Sequence, residues 1–122
     1  MQGKWMFRVA LIEDDEAIRM LVRDVLTDAG FEVEAVAETP HLSTDWRGDV
    51  ILTDAMSRSY IAAKTASTVL ELRRRFGAPV VVMSAHAEIV RDRAVIGADD
   101  VVVKPFEIDE VVRVLRRVCS SG

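Results

Sequence analysis

Asp49-Val50-Ile51-Leu52-Thr53-Asp54 is the stretch on which the reading of this chain turns. Three consecutive apolar residues bounded by acids predict a strand buried on both faces, as central parallel strands are. Such a strand delivers its last residue, Asp54, to the carboxyl edge of a sheet. In open α/β sheets that is the edge at which ligands bind. Two further stretches fall where they would share it, Glu13-Asp14 after the first strand and Lys104-Pro105 after the last.

Working outward, Trp5 to Ile12 is apolar and partly branched and predicts the first strand, ended abruptly by Glu13-Asp14-Asp15-Glu16. From Glu16 a helical period places Ile18, Leu21, Val22, Val25 and Leu26 on one face, with acids at the positive end of the helix dipole and Gly30 as the stop. Phe31 to Ala37 alternates apolar and acidic residues, which fits a strand nearer the sheet edge. Thr39-Pro40 reads as an N-cap with proline at N1, opening a short helix that Asp45, Trp46 and Gly48 close. Beyond the central strand, Ala55 to Ala63 has little pattern before it slides into a helix through Ala66, Val69 and Leu70. Arg73-Arg74-Arg75 sits in the last turn of that helix, where cations suit the dipole, and Gly77 ends it.

Pro79 to Met83 is another continuous buried strand, and Ser84-Ala85-His86-Ala87 leads into a helix from Glu88 to Ile96, stopped at Gly97. Val101 to Val103 is the last strand. After the Lys104-Pro105-Phe106 turn, Ile108, Val111, Val112, Leu115 and Val118 stripe the last helix. Five strands alternating with five helices predict a doubly wound α/β fold: a parallel sheet with helices on both faces, joined by right-handed crossovers.

The 122 residues suit one domain, with a core expected over about 5–118. Half the residues are apolar and 30% are charged, a globular rather than a disordered composition. A formal net charge of −4 gives no footprint for nucleic-acid binding. The single Cys119 excludes an internal disulfide and a cysteine-based zinc cluster. No apolar run reaches the length of a membrane span and no signal-peptide pattern opens the chain, so a cytoplasmic domain without membrane contact is the expectation. Arg73 to Arg75, Arg113, Arg116 and Arg117 read as solvated helix ends, and Trp5 and Trp46 as partial packing residues.

With strand order 2-1-3-4-5 the first and third strands are neighbours, and Glu13, Asp14 and Asp54 meet at the switch point. Packed carboxylates repel and raise one another's pKa unless a cation lies among them, and hard oxygen ligands with room for water suit Mg²⁺. Any one strand-end acid is ordinarily a solvated turn residue or a helix cap, and Asp15 and Glu16 stay in that class. Ser84 and Lys104 end the fourth and fifth strands; a hydroxyl and an ammonium at that edge would bind the oxygens of a phosphoryl group on Asp54. Taken alone, Ser84 reads as an N-cap and Lys104 as an exposed loop lysine.

Leu11-Ile12-Glu13-Asp14-Asp15-Glu16, Asp49 to Asp54, Val82-Met83-Ser84-Ala85, Gly97-Ala98-Asp99-Asp100 and Lys104-Pro105-Phe106 stand in order at family-like spacings. On these motifs the chain resembles, over nearly its full length, the receiver domains of two-component response regulators. The resemblance implies a flavodoxin-like fold and a switch that promotes its own phosphoryl transfer and dephosphorylation without being a turnover enzyme. Asp54 matches the aspartate phosphorylated from the phosphohistidine of a sensor histidine kinase or phosphotransfer protein. Glu13 and Asp14 match the acidic pair that holds Mg²⁺, with Asp54 and the backbone carbonyl of Met56 as further ligands. Ser84 matches the hydroxyl that turns to the phosphoryl group, and Lys104 the lysine that pairs with it. The Lys104-Pro105 peptide is expected to be cis. A downstream protein is expected on the face of the fourth helix, last strand and last helix, with no direct nucleic-acid binding by this domain.

Departures from the family pattern leave other readings open. The loop Ala55-Met56-Ser57-Arg58-Ser59-Tyr60 lacks the usual proline and glycine, Val101 replaces a usual aromatic, and the segment before the third strand is short. Met56 and His86 hold positions that tune phosphoryl lifetime in the family, but His86 reads first as an ordinary exposed loop residue; His41 has no assigned role. A degenerate receiver that docks partners without phosphorylation is one alternative. A Mg²⁺-dependent phosphatase is another, set back by Met56 standing where such enzymes place a second acid. The end of the chain after the fifth helix fits either a single-domain regulator or one whose effector domain has been removed.

Overall fold

The chain places its strands Arg8–Ile12 (β1), Glu32–Val36 (β2), Val50–Asp54 (β3), Val80–Ser84 (β4) and Asp100–Val103 (β5) in one sheet of order β2-β1-β3-β4-β5. The structure is a computed structural model and describes residues 6–54 and 60–121. Every pairing is parallel, with Val9 opposite Val33 and Val50, Leu52 opposite Val81, and Val82 opposite Val101. The helices are Glu16–Asp28 (α1), Ala62–Phe76 (α2), Glu88–Arg91 (α3), Arg93–Ile96 (α4) and Ile108–Ser121 (α5).

Alternation along the strands sorts the core into two layers. Ala10, Ile12, Ile51, Val80 and Val82 face Val69, Leu72 and Phe76 of α2 together with Ile89, Ile96, Leu42 and Trp46. Val9, Leu11, Val50, Leu52, Val81 and Met83 face Val22 and Leu26 of α1 and Val111, Val114 and Leu115 of α5. Truncating any of these leucines to alanine is expected to cost about 2–5 kcal/mol, because a cavity is added to the lost transfer free energy.

Local signals account for most boundaries. Asp15 caps α1 by accepting the Ile18 amide at 3.0 Å, so its assignment as a cap holds. Gly77 and Gly97 end α2 and α4 in the left-handed conformation, at φ 64° and 75°.

Three boundaries differ from expectation by more than one residue. β1 begins at Arg8 rather than Trp5, which lies outside the described residues, because its partners begin there: Arg8 stands opposite Glu32 and its amide is taken by Asp49 Oδ2 at 2.7 Å. The helix expected from Thr39 is a single 3-10 turn, Thr39–His41, with Glu38 rather than Thr39 in the capping position. Buried Leu42 and Trp46 pin the short segment that follows, and Ser43 turns it by accepting the amides of Asp45 on its hydroxyl and Trp46 on its carbonyl. The helix expected over Glu88–Ile96 is split into α3 and α4 at Asp92, whose carboxylate is engaged by Tyr60 instead of facing water.

The arginines also differ from expectation in part. Arg73 donates to Asp99 at 2.5 Å and to the Gly97 carbonyl at 2.8 Å, Arg116 donates to the Ala29 carbonyl, and Arg117 pairs with Asp100. They tie loops at the amino edge of the sheet. Trp46 is a core residue, 7% exposed and edge-on to Phe76 with ring centroids 6.0 Å apart. No helix among the described residues is long and apolar enough to cross a membrane.

Candidate functional site

The site grows from the adjacency of β1 and β3. Ile12 lies opposite Thr53, so Glu13-Asp14 and Asp54 leave the sheet side by side. The Glu13 amide donates to the Val36 carbonyl at 3.0 Å, which prolongs the pairing with β2 by one residue. Glu13 is 1% exposed, Asp54 is mostly buried and Asp14 is open to solvent. One carboxylate oxygen from each of the three lies within 4.8 Å of the others.

Lys104 closes the site from β5. Its amide donates to the Ser84 carbonyl at 2.8 Å, and the Lys104-Pro105 peptide is cis. Its Nζ donates to Glu13 Oε1 at 3.0 Å and to Asp54 Oδ1 at 3.2 Å. The other oxygen of Glu13 accepts the Asp15 amide at 3.1 Å. Lys104 is therefore no free loop lysine: it bridges the buried acid and the strand-end aspartate.

The electrostatics point one way. Burial pushes the Glu13 carboxyl above its usual range, with the Asp54 charge adding to it and the Lys104 and Asp15 hydrogen bonds opposing. Burial pulls Lys104 down, but its bonds to Glu13 and Asp54 and their charges more than offset that, so its ammonium is held more firmly than usual. Both groups are shifted toward holding a proton, as expected where three carboxylates share one ammonium. The donor set of hard oxygens, one of them open to solvent, fits a small dication with part of its water retained. Glu13, Asp14 and Asp54 are the residues able to hold it; Met56 lies outside the described residues.

Ser84, 1% exposed, ends β4 next to Asp54's strand, with Asp54 opposite Met83. It does not cap the following helix. Its Oγ accepts the His86 amide at 3.0 Å, and α3 begins later, at Glu88. His86 is half-buried rather than exposed, its ring stacked on Tyr60 with centroids 5.9 Å apart and planes at 27°. The Tyr60 hydroxyl donates to Asp92 Oδ2 at 2.9 Å. Val101, in place of an aromatic, is half-buried and packs against the α2 layer.

Arg19 and Asp92 carry no sequence signal that marks them. Arg19 Nη1 donates to the Glu13 carbonyl at 2.8 Å, holding the acidic turn from inside α1. A helix-face arginine and a mid-helix aspartate look like solvated residues until the fold shows what they touch.

An open parallel sheet with acids gathered at its switch point, bridged by a lysine from the last strand, is a flavodoxin-like doubly wound α/β arrangement. Residues 9–116 match the family model described as the response regulator receiver domain. The chain is 34% identical over 122 residues to the transcriptional activator protein IrlR of Burkholderia pseudomallei, covering 94% of this chain and 51% of that protein. It is 28% identical over 123 residues to the sensory transduction protein RegX3 of Mycolicibacterium smegmatis, covering 96% and 52%. It thus spans about half the length of these curated relatives.

Among solved structures, a response regulator from Thermotoga maritima superposes with a TM-score of 0.79 at 19% identity, covering 94% of this chain and 98% of that one. The chemotaxis response regulator CheY4 of Vibrio cholerae gives 0.73 at 26%, covering 93% and 98%. The response regulator TrrA of Thermotoga maritima, in complex with Mg²⁺-BeF, gives 0.73 at 22%, covering 93% and 99%. The chain belongs to the response regulator receiver family of two-component signalling.

Proposed function

We propose that the chain is a single receiver domain that takes a phosphoryl group onto Asp54 from the phosphohistidine of a sensor kinase or phosphotransfer protein. The carrying observation is the Glu13-Asp14-Asp54 cluster with Lys104 bonded to both of its buried members. A carboxylate oxygen of Asp54 attacks phosphorus, a P–O bond forms as the P–N bond breaks, and the imidazole leaves. Such transfer asks for in-line placement and charge neutralisation more than for covalent help. Mg²⁺, when bound, would neutralise the phosphoryl oxygens.

Glu13, Asp14 and Asp54 would hold that ion, with the Met56 carbonyl as a further ligand on the family resemblance. The complex of TrrA with Mg²⁺-BeF supports this reading. Lys104 is already beside Asp54 Oδ1 and supplies a second cation to the transferred group. Ser84 stands at the adjoining strand end and would donate its hydroxyl once turned toward it. On the family resemblance, His86 and Met56 hold the positions that would set how long the phosphoryl group lasts.

Partner binding would follow on the face of α3, α4, β5 and α5, where Val90 and Val95 are 59% and 72% exposed. The negative net charge argues against direct nucleic-acid contact by this domain. The test is incubation with a small-molecule phosphodonor and Mg²⁺, read by intact mass, with Asp54→Ala alongside. A Mg²⁺-dependent phosphoryl adduct absent from the variant is the expected result. No adduct on a chain that binds Mg²⁺ would leave a docking module in its place.

A further inference from the structure

A line of contacts runs from the site to the helix break. Ser84 Oγ holds the His86 amide, the His86 ring stacks on Tyr60, and the Tyr60 hydroxyl holds the Asp92 carboxylate at the junction of α3 and α4. The first link is local, two residues apart, and the other two join the loop before α2 to the loop after β4 and to the α3–α4 junction. Tyr60, just before α2, sets its ring against the loop after β4.

We propose that Tyr60 is a positioning residue that makes the α3–α4 junction sensitive to the orientation of Ser84, so that this loop tyrosine carries the signal away from Asp54. The trigger rests on the phosphoacceptor reading of Asp54; the coupling itself does not. A change of Ser84 rotamer, which the family resemblance implies when Asp54 carries a phosphoryl group, would carry Oγ roughly 2 Å from its present place. The His86 amide then loses its acceptor and the His86 ring loses the anchor that keeps it on Tyr60. A tyrosine without its stack holds Asp92 less firmly, and the two short helices that meet at Asp92 loosen.

The coupling is tested on the full chain without phosphorylation by Ser84→Ala, which removes the acceptor alone. Amide exchange across residues 88–97 should quicken about three- to tenfold and the ring resonances of the single tyrosine should shift, while α5 exchanges as before. Phosphodonor and Mg²⁺ should produce the same change in the wild type, with the adduct counted by mass. Tyr60→Phe keeps the stack and loses the donor. It should form the adduct normally, yet show fast exchange over 88–97 that changes less than about twofold on phosphorylation. Asp92→Asn retains an oxygen acceptor and should keep the wild-type response, whereas Asp92→Ala should lose it. Unaltered exchange over 88–97 in Ser84→Ala, or a full response in Tyr60→Phe, overturns the proposal. A Ser84→Ala effect in a chain that forms no adduct upholds the coupling and counts against Asp54 as its trigger.

Discussion

Lys104 Nζ lies 3.0 Å from Glu13 Oε1, a contact between residues 91 positions apart that ties the turn after β5 to the turn after β1. Glu13 is buried and Lys104 nearly so, so each depends on the other for charge compensation. Lys104→Met should therefore destabilise the metal-free chain by about 2–3 kcal/mol, since removing one partner leaves an uncompensated buried charge. Urea unfolding at neutral pH measures it. The loss should shrink in saturating Mg²⁺, where a second cation faces the same acids; an equal loss with and without Mg²⁺ would count against a shared site.

Asp54 contributes to the upward push on Glu13, so its removal relieves repulsion while Lys104 keeps its Glu13 bond. Without metal, Asp54→Ala should be as stable as the wild type or more stable by about 1 kcal/mol. With Mg²⁺ the order should reverse: the wild type gains roughly 1–3 kcal/mol by mass action and the variant gains little. Thermal unfolding across a Mg²⁺ titration reads both effects.

Tyr60 is the only tyrosine, so its phenolate absorbance titrates without overlap from another tyrosine. Burial and then its bond to Asp92 push the phenol from an ordinary 10.0 up to about 12. A raised folded-state pKa gives stability that is complete below the unfolded value of 10.0 and is lost as pH rises through about 12. The native titration should be centred near the higher value and the urea-unfolded one near the lower. Asp92→Ala should bring the native midpoint down, and an unchanged midpoint in that variant would show the Asp92 bond to be unimportant.

Gly48 lies under the Trp46 indole. A Cβ there would meet Trp46 Cη2 at 2.6 Å and the Arg8 carbonyl at 2.9 Å, and neither the packed ring nor the strand backbone can give way cheaply. Gly48→Ala should destabilise the chain by about 1–3 kcal/mol through overpacking. Urea unfolding followed by tryptophan fluorescence measures it, and a neutral result would mean that the Trp46 ring has room to swing aside.

Cys119 is half-buried beside the α1–α5 layer, and burial followed by the Asp49 charge pushes its thiol up to about 12. Alkylation at mildly alkaline pH should be at least about tenfold slower in the native chain than in the unfolded one, because the thiolate is the reacting species. Equal rates would place the thiol in water.

The class of fold and the edge that matters are legible in the order of residues. Apolar runs such as Val50-Ile51-Leu52 and Val80 to Met83, alternating with helical stripes, require buried parallel strands covered on both faces, because period and burial are local properties of the chain. The positions of Glu13, Asp14, Asp54, Ser84 and Lys104 at strand ends follow from the same pattern, and the structure puts all five at one edge. Tertiary structure alone decided what these groups touch: that Lys104 bridges Glu13 and Asp54, that Ser84 holds the His86 amide rather than a helix, and that Arg19 holds the Glu13 carbonyl. It also reduced the segment after Thr39 to one turn and split the helix at Asp92, where Leu42, Trp46 and Tyr60 outweigh local helix preference. Propensity is worth tenths of a kcal/mol per residue, whereas a buried side chain or a bond to a carboxylate is worth about 1–3 kcal/mol. Contacts between distant segments therefore decide wherever the local pattern is weak.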